Sequence, residues 1–79
     1  MNTVWGRPVV ISLPRGNRAI DTTFAASLAL SMDWPTAGGP ASTKAVIACL
    51  AVMEGTGTPD QARIAFVAAA QEVGALLEG

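Results

Sequence analysis

The side chains able to do chemistry are few in this 79-residue chain, and they stand apart from one another. Cys49 is the one cysteine and there is no histidine. An internal disulfide is therefore excluded, the four Cys or His ligands of a structural zinc cannot be assembled, and imidazole acid–base catalysis is ruled out. Cys49 adjoins Leu50 in the most apolar stretch, and its nearest basic neighbour in sequence is Lys44. It reads as a core thiol rather than a nucleophile. The carboxylates Asp21, Asp33, Glu54, Asp60, Glu72 and Glu78 fall at helix ends or on polar faces, and none is paired in sequence with another acid. Capping and solubility account for them better than general acid–base work does. Thr43 precedes Lys44 but has no third group to complete a nucleophilic set. The stretch AGGPAST, 37–43, has glycines ahead of a helix start, where backbone amides can hold a phosphate. It lacks both GxxxxGK[ST] and GxGxxG, so it reads as a linker. No catalytic, cofactor-binding or metal-ligating residue is expected, and no enzyme.

One constellation has a partner-binding character. Arg7, Arg15 and Arg18 lie near Trp5, and residues 1–20 contain no acid, whereas residues 21–79 set Lys44 and Arg63 against all six acids. Arginines beside an aromatic can grip phosphates and stack on bases, so these four residues are the candidate contacts for an anion or partner. A sequence pI of about 5.0 is far from the roughly 9 of a typical nucleic-acid-binding domain. Self-association fits better. Hydrophobic residues make up 51% of the chain and charged ones only 14%, against about 25% charged in an average globular protein. Such a chain leaves apolar surface to be shared with a second copy or another protein.

The elements that must position these groups are legible in outline. In PVVISL, Val9, Ile11 and Leu13 alternate with Pro8, Val10 and Ser12, which predicts a strand. PRGN then turns the chain, and Ile20 resumes the alternation, giving a β-hairpin over about 8–21. Asp21, Thr22 or Thr23 caps a helix over about 23–33, with Phe24, Leu28 and Met32 on its apolar face. Trp34 and Pro35, followed by Gly38, Gly39 and Pro40, halt that helix and form a corner whose indole folds back over it. A second helix over about 42–54 carries Val46, Leu50 and Met53 on one stripe, with Ile47 beside it and Gly55 as its C-cap. Thr58-Pro59-Asp60-Gln61 is a capping box opening a third helix over about 59–77, with Ala62, Phe66, Ala69, Val73 and Leu77 facing one way. Gly74 lies within that helix at a cost of about 1 kcal/mol relative to alanine. An isolated hairpin is unstable, so it must pack on the helices. The fold class is α+β, β-β-α-α-α, in one domain spanning 1–79.

The N-terminus carries proline and arginine where a secretory signal needs an apolar core. The longest apolar run, Ala45 to Met53, is nine residues, against the ~20 that span a bilayer. A cytoplasmic protein without a membrane segment is expected.

Taken together, Trp34, Pro35, Gly39, Ala45, Cys49, Gly55, Ala62, Arg63, Ala65, Phe66, Ala69, Ala70 and Glu72 resemble in order the pattern of a small bacterial family, domain of unknown function 982. PVVISLPRGNRAIDTTFAASLAL fits that family's strand-turn-strand-helix opening. The resemblance implies a stand-alone cytoplasmic protein and names no activity, substrate or catalytic residue. Among the matching positions Arg63 stands out, because a cation near a helix start opposes the dipole. Its expected role is a structural pair with Asp60 or Asp33 that ties the helix to the corner, the alternative being a grip on an acid or ligand.

The resulting expectation is a non-enzymatic, homodimeric interaction or accessory module. A nucleic-acid-associated regulator using the arginine-bearing hairpin is the alternative. A small-ligand binder or enzyme with its pocket at the Trp34 corner is a third.

Overall fold

The structure, a computed structural model, describes residues 4–35 and 38–79. Its elements are β1 (Val4–Leu13), β2 (Gly16–Thr22), α1 (Thr23–Met32), α2 (Pro40–Glu54), α3 (Pro59–Glu72) and β3 (Leu76–Glu78). The strands form one antiparallel sheet in the order β2-β1-β3. Helix α1 packs on β2, and α3 packs on β1 and β3. Helix α2 rests on α3 and α1. The α+β class and the β-β-α-α-α order are as the sequence predicts, with a third strand added.

Local chemistry explains most of the boundaries. Thr22 accepts from the Ala25 amide at 3.0 Å and so caps α1. The predicted capping box of α3 is complete, with the Gln61 amide donating to Thr58 Oγ1 at 3.2 Å and the Thr58 amide donating to Gln61 Oε1 at 3.0 Å. Helix α3, however, stops at Glu72 rather than near 77. The reason is Gly74, whose φ of 70° turns the chain out of the helix, as an αL residue after a helix end does. The Ala75 amide then closes on the Ala70 carbonyl at 2.8 Å. The freed chain runs back as β3, pairing Leu76 with Ile11 and Glu78 with Val10. The hairpin is also longer than 8–21, because β1 begins at Val4 and reaches its register with β2 through an irregularity between Val4 and Val9.

The sheet buries the face its alternation predicts. Val9, Ile11, Leu13 and Ile20 are all buried, and Val9 pairs directly with Ile20. Helix α3 buries Ala62, Phe66 and Ala69 as predicted, but α1 and α2 do not follow the predicted faces. Phe24, Leu28 and Met32 are exposed, and α1 instead buries Thr23, Ala26 and Ala29. Likewise Val46, Ile47 and Leu50 lie outside, while α2 buries Ser42, Ala45, Cys49 and Val52. Small side chains line the inner faces because three helices and a sheet meet within a body only 30 × 23 × 18 Å, and close approach of backbones leaves no room for large ones. Leu77, predicted on the buried face of the third helix, is exposed on β3.

The large residues that do enter the core form one cluster. Phe66, fully buried, lies between Trp5 at 5.6 Å and Trp34 at 5.5 Å between ring centroids, both tilted. Each indole N–H has a hydroxyl acceptor, Thr23 for Trp5 and Ser42 for Trp34, both at 3.1 Å. Replacing Phe66 with Ala is expected to cost about 3–5 kcal/mol in urea unfolding, as the largest core truncations do. Leu77→Ala is expected to stay within about 0.5 kcal/mol. Equal losses in the two variants would contradict this partition of inside and outside.

Candidate functional site

The four predicted contact residues do not form one site. Trp5 is buried against Phe66 and Thr23, so its ring has no face to offer a base or a partner. Its position at the start of an alternating strand gave the signal, since Trp5 shares the inward parity of Val9 and Ile11. Arg7 lies on β1, where its guanidinium donates to the Gly79 oxygen at 3.0 Å. Arg15 and Arg18 do come together, at the hairpin end, where they line a shallow concavity of about 200 Å³ with Leu28, Met32 and Asp33. Arg18 reaches it because it pairs with Ile11 and so projects from the helix-bearing face of the sheet. Neither guanidinium has an ion-pair or hydrogen-bond partner among the described residues.

Arg63 takes a third course. Its Nε donates to the Arg7 carbonyl at 3.0 Å and its terminal nitrogen to the Gly79 oxygen at 3.4 Å. The expected pair with Asp60 or Asp33 is not what it makes. One turn into α3, the side chain points toward the sheet and ties α3 to β1 and to the residue after β3. The cation that opposes its own helix dipole thus satisfies strand-edge oxygens instead.

The Trp34-Pro35 corner holds the densest polar cluster, and its central residue is one the sequence assigns only generally, with the other acids, to capping and solubility. Glu72, the last residue of α3, reaches the start of α2. Its carboxylate accepts from the amides of Gly39 at 2.9 Å, Ala41 at 3.0 Å and Ser42 at 3.2 Å, and from Ser42 Oγ at 3.1 Å. Helix α2 has no side-chain cap of its own, and Glu72 supplies one from another helix, satisfying the orphan N–H groups and the positive helix end together. The Trp34 indole donates to Ser42 Oγ, which donates to Glu72, so the corner forms a relay of hydrogen bonds. Gly39 is needed for close approach, since a Cβ there would lie 2.9 Å from Glu72 Oε2. The Ala41 amide is the main cause holding the Glu72 carboxyl below the ordinary carboxylate range; desolvation opposes it, and the Ser42 amide and hydroxyl and the Gly39 amide add to it. The expected corner is thus present, with Pro35 described beside it, while residues 36 and 37 lie outside the described ones. Every donor in the cluster is already matched to an acceptor of this chain. The shallow concavity lies beside the hairpin end, not over the Trp34 ring, with only Asp33 adjacent to the corner in sequence.

Cys49 is fully buried, and burial pushes its thiol up to about 11, which makes it a poor nucleophile. Among the described residues no group of three His, Cys, Asp or Glu side chains is placed to hold a metal ion. No helix among them is long and apolar enough to cross a membrane.

A further feature is a surface. Phe24, Leu28 and Met32 on α1, with Val46, Ile47 and Leu50 on α2, are between 37% and 76% exposed. The two helices pack against one another. The remaining large exposed apolar residues, Val4, Ile64 and Leu77, stand singly on β1, α3 and β3.

The family model for a protein of unknown function, DUF982, matches residues 7–77. The chain belongs to the DUF982 family. Its fold is also similar to the NMR structure of protein Atu1219 from Agrobacterium tumefaciens, with a TM-score of 0.79 and 33% identity over 98% of this chain and 78% of that one. A comparison with curated proteins finds no match. In this DUF982 chain, Trp34, Gly39 and Glu72 meet in one hydrogen-bonded cluster at the start of α2.

Because folding lowers the Glu72 pKa, its ionisation favours the folded state above the ordinary Glu range, and that contribution fades as the pH falls through the folded value. Thermal melting across an acid titration is expected to show Tm dropping below pH ~4. Glu72→Gln should lower Tm at neutral pH and flatten the acid limb. An acid limb of the same depth in the variant would contradict the role given to this carboxylate.

Proposed function

We propose that this chain is a non-enzymatic interaction module that works as a homodimer, joined through the outer faces of α1 and α2. The observation that carries the reading is the set of six large apolar side chains left outside on those two packed helices. Taking the roughly 200 Å² of an aromatic side chain as an upper figure for each, their exposed parts come to at most on the order of 600 Å². Summed over both helices, that approaches the roughly 800 Å² each partner contributes to a standard interface. A small core with little stability in reserve gains from a second copy by mass action.

The polar features support a structural use. The Glu72 cluster closes on α2, and Arg7 and Arg63 close on backbone oxygens. A cytoplasmic setting belongs to the same proposal and suits a chain whose one cysteine is a free core thiol.

Sedimentation equilibrium is expected to show a monomer–dimer equilibrium in the micromolar range. Leu28→Asp and Ile47→Asp should each shift it to monomer without changing the far-ultraviolet circular dichroism. A wild-type chain that stays monomeric through the millimolar range would overturn the reading.

A further inference from the structure

Two charges on α2 lie toward the helix ends of their own sign, Glu54 in the last turn, at the negative end, and Lys44 just past the first, near the positive end. A helix macrodipole prefers the reverse. Both side chains are exposed, and neither has an ion-pair or hydrogen-bond partner among the described residues. They flank the apolar stripe, because Lys44, Ile47, Leu50 and Glu54 are spaced by three, three and four residues and so share one side of the helix.

An antiparallel neighbour reverses the sign of every one of these placements. We infer that a second copy of this chain docks with its α2 antiparallel to this one about a two-fold axis between Ile47 and Leu50, pairing Lys44 of each copy with Glu54 of the other. This inference rests on the self-association proposed above and fixes its register. In that arrangement Ile47 faces Leu50 across the axis, and the residue pair is repeated by symmetry, as an isologous interface requires. Each cation lies beside the negative end of the opposite α2, and each acid beside its positive end. A parallel pairing would set Lys44 against Lys44 and Glu54 against Glu54. The charges therefore select direction as well as partner.

Lys44 is the chain's one lysine, which makes a direct test available. Zero-length carbodiimide coupling of a mixture of 14N and 15N protein is expected to give a Lys44–Glu54 cross-linked peptide carrying one label from each copy. Within one copy the two residues are about 15 Å apart along the helix, out of reach of a direct amide. Lys44→Glu and Glu54→Lys are each expected to weaken association about tenfold by sedimentation at low salt. The double reversal should restore it to within about threefold of wild type. All three variants should melt no lower than wild type as monomers, since each change suits the helix dipole. If the dimer persists and Ile47→Asp abolishes it, but the mixed-label cross-link is absent and the reversals have no effect, the antiparallel register is overturned while self-association stands. If wild type does not associate at all, the proposed function fails, and the register with it.

Discussion

Phe66 is the point at which the pieces of this small protein are held together. Its ring lies between Trp5 from the first strand and Trp34 from the corner after the first helix. Neither indole is free to slide, because each N–H is fixed on a hydroxyl, Thr23 at the start of α1 and Ser42 in the first turn of α2. Three aromatic rings and two hydroxyls thereby connect β1 and all three helices. In a core otherwise made of alanines and a few aliphatic residues, these are the contacts with enough area to fix the relative positions of the layers.

The second constraint is electrostatic and lies at the edge of that cluster. Helix α2 has Gly39 as its N-cap and Pro40 as its first residue, which stop and start the backbone but cap nothing with a side chain. Glu72 makes up the deficit from the far end of α3. It is joined to the aromatic cluster through Ser42, so the packing of Trp34 and the capping of α2 share one hydroxyl. The two-helix unit α2–α3 is closed at its other end by the turn after Gly55 and the Thr58 capping box.

Much of this was legible in the sequence where the signal is local. The alternation of Val9, Ile11 and Leu13 gives the buried face of β1, and Thr58 with Gln61 gives the start of α3. The Trp34-Pro35 corner announces itself through residues that break a helix. The long-range parts were not. Glu72 and the amides it caps are some thirty residues apart in sequence, and nothing near either one marks the pair. Leu76, Leu77 and Glu78 are too short a run to alternate, and Val73 and Leu77 continue the helical period past Gly74, which hides β3. On α1 and α2 the usual sign of a core face points the wrong way, since size was read as burial. Arg7, Arg15, Arg18 and Trp5 are near one another in sequence and are dispersed by the hairpin, only Arg15 and Arg18 ending side by side.

The proposed self-association rests on the division of large side chains into an inner aromatic set and an outer helical set, and that division is open to direct observation. A dilution series of amide and indole correlation spectra, from millimolar to micromolar protein, reads both sets at once. The account predicts that the resonances of Val46, Ile47 and Leu50 move with concentration while the indole N–H signals of Trp5 and Trp34 stay fixed. Indole signals that move with concentration, or outer-face resonances that do not move at all, would contradict it.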